Sequence, residues 1–97
     1  MVKELKTKIK RKAIYSAIAI HPGEILKDEI ESRNLVKTQF AKDLGILPGH
    51  LSELFKGKRH ISASLALKLQ DLLQISAETW MNLQVRHDLS VARSLKK

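Results

Sequence analysis

Ninety-seven residues suit one compact domain, and 43% hydrophobic with only 4% aromatic content calls for a core of leucine, isoleucine and alanine, which favours helices. The absence of cysteine excludes a disulfide framework, a zinc–thiolate site and a cysteine nucleophile, and no apolar run approaches the ~18–20 residues that span a bilayer. The net charge of +8 lies in the tails, because residues 22–88 carry nine basic and nine acidic side chains, so bulk charge alone does not argue for a nucleic-acid partner.

Residues 1–20 read as a basic N-terminal extension. MVKELKTKIKRK is lysine-rich with few apolar positions and suits a phosphate or a protein partner. AIYSAIAI follows, with Ile14, Ile18 and Ile20 on one side and Tyr15 on the other. That alternation predicts a short strand in need of a partner, although its alanines also allow a helix. No sustained apolar signal core follows the basic start, so a cytoplasmic protein with no membrane association is expected.

Residues 21–89 read as the folded domain. His21-Pro22-Gly23 opens a first helix with Pro22 near its first position. Ile25, Leu26 and Ile30 form its buried stripe, and Lys27, Asp28 and Glu31 face water. Arg33-Asn34 closes it, Asn34 serving as the left-handed cap, and Leu35 and Val36 are expected to pin the connector to the core. Thr38 is placed to cap a second helix over residues 39–44, which Gly45 ends. Pro48 opens a third helix that runs to about Phe55, stopped by Gly57; Leu47 before it has no side-chain oxygen to cap with. Ser62 caps a fourth helix, residues 63–73, with Leu65, Ala66, Leu69, Leu72 and Leu73 facing inward. Ser76 caps a fifth, with Glu78 in the first turn where the helix dipole favours an acid, and Trp80, Leu83 and Val85 as its main apolar residues. Residues 90–97 read as a loose basic tail.

The centre of this plan is TQFAKDLGILPGHLSELFKG, from Thr38 to Gly57. Phe40, Leu44, Ile46, Leu51 and Leu54 supply its apolar positions, Ala41 lets two short helices approach, and Gly45 makes the turn between them. This is the spacing of a helix-turn-helix, whose second helix enters the DNA major groove. With Leu51, Leu54 and Phe55 inward, the base-facing candidates are Pro48, Gly49, His50, Ser52 and Glu53. Glu53 can accept from a cytosine amino group, His50 can bond a guanine or a phosphate, and Gly49 lets the backbone come close. Lys37, Thr38, Gln39, Lys56, Lys58 and Arg59 cluster at the helix ends and suit phosphates. The third helix has no Arg, Asn or Gln for bidentate base contacts, so each half-site discriminates modestly and a homodimer on a near-palindromic operator is expected.

From His21 to Asp88 the chain resembles the HigA family of antitoxins, the plasmid-maintenance antidote proteins, a branch of the lambda-repressor-like helix-turn-helix proteins. The resemblance rests on His21-Pro22-Gly23-Glu24-Ile25-Leu26, Phe40-Ala41 through Gly45, Leu51-Ser52-Glu53-Leu54, Gly57-Lys58-Arg59, Leu65-Ala66-Leu67-Lys68-Leu69, Trp80-Met81-Asn82-Leu83-Gln84 and Asp88-Leu89. It implies an all-α, five-helix DNA-binding domain and a homodimer that represses its own operon and neutralises a HigB-type toxin, a ribosome-dependent mRNA endonuclease. Two departures stand out: Leu47 replaces the usual Ser or Thr cap, and Pro48-Gly49 replaces polar residues that commonly touch bases. A stand-alone dimeric regulator and a toxin-binding module with weak DNA binding are the alternative readings.

Catalytic and metal chemistry finds no support. Histidines 21, 50, 60 and 87 share no spacing that puts two on one helix face toward a metal, and solvent, capping or phosphate-contacting roles are expected. Gly57-Lys58-Arg59 lacks the earlier glycine and the following Ser or Thr of a phosphate-binding loop. No strand-turn nucleophile elbow is visible. Neither a cofactor nor an enzymatic activity is expected.

Overall fold

The computed structural model describes residues 19–96, which form five helices: α1 (Pro22–Ser32), α2 (Lys37–Leu44), α3 (Pro48–Phe55), α4 (Ala63–Leu73) and α5 (Ala77–Leu95). No strand occurs among the described residues, and most of the stretch expected to form one lies outside them. Its last two residues, Ala19 and Ile20, are half-buried, and the Ala19 N–H donates to Ser90 Oγ at 3.2 Å.

Three chain reversals share one local device. At Asn34 (φ 57°), Gly45 (φ 78°) and Gly57 (φ 75°) the backbone turns left-handed just past a helix. In each case the next residue's N–H reaches back five positions: Leu35 to Ile30 O, Ile46 to Ala41 O and Lys58 to Glu53 O, at 2.9–3.0 Å. These bonds satisfy carbonyls that a helix end otherwise leaves bare, and the left-handed residue is where Gly or Asn costs least. α4 ends differently, on Gln74 at φ 58°, whose side-chain Nε2 donates to Asp71 O at 3.0 Å. Nothing in the local sequence signals that left-handed glutamine.

The core is Leu26 and Ile30 of α1, Phe40, Ala41 and Leu44 of α2, Leu51 and Leu54 of α3, Ile61, Leu65, Ala66, Leu69 and Leu73 of α4 and its approach, and Ala77 and Trp80 of α5. Trp80 is the largest fully buried side chain, and burial of such a ring contributes on the order of 3 kcal/mol. The Ser62 and Ser76 caps form as expected, accepting from Leu65 N–H at 3.2 Å and Thr79 N–H at 3.1 Å.

Four sequence expectations are corrected. Thr38 does not cap α2: the helix starts at Lys37 behind an extended Val36, because the reversal at Asn34 has already set the helical direction. Leu35 and Val36 do not pin the connector to the core; they are 39% and 65% exposed, having left the core side as the chain reversed. On α5, Val85 faces outward and Gln84 is the buried residue, since a helix places position i+4, not i+5, above Trp80. The segment after Ser90 is not loose, because α5 continues to Leu95.

Candidate nucleic-acid interface

α3 is an eight-residue helix with two faces. Leu51 and Leu54 are buried, whereas Pro48, Gly49, Ser52 and Lys56 beyond its end are exposed and His50 and Glu53 half-exposed. A methyl group added at Gly49 would meet no atom within 4 Å, so the helix surface there is open. Lys37, Thr38 and Gln39 stand exposed in the first turn of α2. Lys37 Nζ lies 5.8 Å over the Phe55 ring, and Gln39 Nε2 donates to Asp43 Oδ1 at 2.9 Å. The candidates on α3 and in the first turn of α2 are thus all at least partly open to solvent.

The C-terminal end of α3 is held by residues from outside it. Gly23 of α1 presses against its last turn, where an added Cβ would lie 1.6 Å from Leu54 O, so no other residue fits without moving the helix. His21 caps α1, its Nδ1 accepting from Gly23 N–H at 2.8 Å, and its ring packs against Gly57. Because Nδ1 accepts, the neutral His21 ring carries its proton on Nε2. Burial holds its pKa below 6.5, reinforced by His87, whose ring meets it edge-on at 4.7 Å, and by His60; Asp88 and the Arg59 main chain oppose the shift.

Gln84 ties the following loop to α5. Its Oε1 accepts from Ile61 N–H at 2.7 Å, and its Nε2 bonds Asp88 Oδ1 at 3.0 Å and His60 Nδ1 at 2.9 Å. The histidines therefore do gather, three of the four around Asp88 and Gln84. Among the described residues, however, no group of three or more His, Cys, Asp or Glu could hold a metal ion.

The electrostatics of the open face differ from a residue-by-residue reading. Arg59 Nε donates to Glu53 Oε1 at 2.5 Å. That hydrogen bond, with the attraction of the Arg59 charge, holds the Glu53 carboxyl below its usual range. The acid of α3 is therefore neutralised by the cation that follows the helix.

Between α3 and the start of α4 lies an open cleft of about 490 Å³, lined in part by His50, Lys58, Arg59, Ser62, Ser64 and Lys68. Lys68 is partly committed, its Nζ donating to Leu44 O at 3.1 Å and so capping α2 from α4. Sequence reasoning missed Gly23, Gln84 and Lys68 as the parts that fix α2 and α3. The only available signal was their place within the HPGEIL, WMNLQ and LALKL blocks.

The helix-turn-helix family HTH_3 matches residues 26–80. Virulence-associated protein I of Dichelobacter nodosus is 36% identical over 80 residues, 81% of this chain and 74% of that protein. The Pseudomonas aeruginosa antitoxin HigA, solved with the higBA promoter, superposes with a TM-score of 0.73 at 34% identity, covering 78% of this chain and 84% of that one. An addiction module antidote protein of the HigA family from Coxiella burnetii gives 0.69 at 36% identity, covering 75% and 80%.

Proposed function

The chain belongs to the helix-turn-helix family, in the branch of HigA-type antidote proteins, and from that premise we propose that it is the DNA-binding antitoxin of a toxin–antitoxin pair. In this reading it represses its own operon and neutralises a HigB-type mRNA endonuclease, acting in the cytoplasm without catalysis of its own.

One observation carries the DNA half of the reading. The face of α3 opposite Leu51 and Leu54 is open, and its acid, which would repel phosphates, is neutralised by Arg59. α3 then lies in the major groove with Pro48, Gly49, His50, Ser52 and Glu53 toward the bases. Lys37, Thr38, Gln39, Lys56, Lys58 and Arg59 stand toward the two phosphate strands that flank it. Residues 21–89 act as the DNA-binding unit, and the positive charge of the flanking sequence suits further phosphate or toxin contact.

A homodimer places two such helices about 34 Å apart, one helical turn of DNA. Val85 and Leu89, exposed and one turn apart on α5, support an apolar dimer face. The toxin half rests on likeness to the Pseudomonas antitoxin and the Coxiella antidote protein.

Two measurements test the proposal. A gel shift on the DNA upstream of the gene, at about 0.15 M salt, should give a specific complex that unrelated DNA does not compete away. Co-expression should relieve growth arrest by the product of a small adjoining reading frame. No specific complex would end the repressor reading, and no arrest relieved by this chain would end the antitoxin reading.

A further inference from the structure

We propose that Arg59 is the side chain that reads a guanine in each half-site, and that Glu53 is the residue that positions it. The inference rests on the DNA-binding reading above and reassigns two of its contacts: Arg59 from phosphate to base, Glu53 from base to support.

α3, PGHLSELF, carries none of the side chains that make paired hydrogen bonds to a base edge. The fold supplies one from the loop. The left-handed Gly57 and the Lys58 N–H to Glu53 O bond of 2.9 Å fold the chain back on the helix it has just left. Arg59 is thereby returned to the last turn of α3, where its Nε donates to Glu53 Oε1.

Glu53 lies one turn from Gly49 and one from Lys56, on the side offered to the groove. With Nε committed to Glu53, the two Nη groups remain to donate end-on to the O6 and N7 acceptors of guanine. Both side chains are about half exposed, at 50% and 46%, so the pair sits where DNA can reach it. A carboxylate already bonded to a guanidinium is a poor acceptor for a cytosine amino group. A guanidinium held by a carboxylate has less freedom left to lose on binding, which favours a directional contact.

The experiment selects binding sites from a randomised duplex pool with the full chain and with Arg59→Lys, Glu53→Ala and Glu53→Gln, then measures salt slopes on the selected site. The unaltered protein should select a guanine that Arg59→Lys no longer prefers, losing about 5- to 150-fold discrimination at that base pair. Glu53→Ala should weaken preference at the same base pair, and Glu53→Gln, which keeps an acceptor for Nε, should restore part of it. The salt slope should stay within one phosphate's worth, about 0.9, of the parent.

Arg59→Lys retaining every preference would make Arg59 a phosphate contact and overturn the proposal. So would Glu53→Ala altering a base pair that Arg59→Lys leaves alone. If the unaltered chain selects no motif, the DNA-binding reading falls and this one with it. Thermal unfolding of each variant separates misfolding from altered reading, and the exposure of both residues predicts unchanged midpoints.

Discussion

The C-terminal end of α3 is gripped from three directions. Gly23 lies against the Leu54 carbonyl, the His21 ring covers Gly57, and Gln84 holds the Ile61 N–H just downstream. The N-terminal end has no comparable support. The Leu47 side chain makes no cap bond and is 76% exposed, Pro48 contributes no N–H, and a methyl group added at Gly49 would meet no neighbour within 4 Å. The contrast shows how a helix of only eight residues, too short to persist alone, is made into a rigid probe. It is anchored where it leaves the domain and kept bare where it would enter a groove. The bare end costs local stability, and that cost is tolerable because the anchored end fixes the helix axis.

Attacking the anchored end should have the largest effect. Gly23→Ala puts a methyl group onto the Leu54 carbonyl, so either α1 or α3 must shift; a loss of about 3 kcal/mol is expected, seen as a steep fall in the thermal midpoint. An unchanged midpoint would mean the two helices are not tightly docked there. Gln84→Leu keeps the volume but strands the buried Ile61 N–H, for an expected loss of about 1–3 kcal/mol in urea unfolding. DNA affinity should fall with it, because the loop carrying Lys58 and Arg59 is no longer tied to α5.

At the bare end the sign reverses. Leu47→Ser supplies the missing cap acceptor and should stabilise the protein by about 0.5–2 kcal/mol; a neutral or destabilising result would show that the Leu47 side chain already serves the fold.

The smallest expected effect is one of pH. The folded pKa of His21 lies below 6.5, so the unfolded chain takes up the proton first. Its contribution is fully present above about pH 6.5 and is lost as pH falls toward the lower folded value. His21→Asn, which retains a capping oxygen, should flatten the fall in stability between pH 7 and pH 5. An equally steep fall in that variant would assign the acid sensitivity to another group.

Much of this architecture is legible in local sequence. Pro48 at a helix start, Ser62 and Ser76 as caps, and Asn34, Gly45 and Gly57 at positive φ each follow from sterics and hydrogen bonds within five residues. The same holds for the inward leucines of α3 and α4, where periodicity alone selects the buried face. Errors arose where a short-range rule had a competitor. Thr38 is a good cap, but the Asn34 reversal had already started the helix two residues earlier. Val85 is apolar, but it lies off the stripe that Trp80 defines.

The candidate site was legible as a face and not as a set of contacts. Spacing could place Glu53 on the outer face of α3 and Lys58 and Arg59 just past its end, because the helix period and the Gly57 stop are local features. Spacing could not show that Arg59 folds back onto Glu53, that Gln84 is buried, or that Lys68 caps α2. Those outcomes depend on where segments distant in the chain come to rest. A turn is decided by a few torsions and the bonds they permit, so residue order alone determined the five helices and the reversals at Asn34, Gly45 and Gly57. Which polar group is buried, which charge is neutralised and which glycine has no room for a methyl group were decided only when the helices packed. Each of these requires a partner whose position local sequence does not specify.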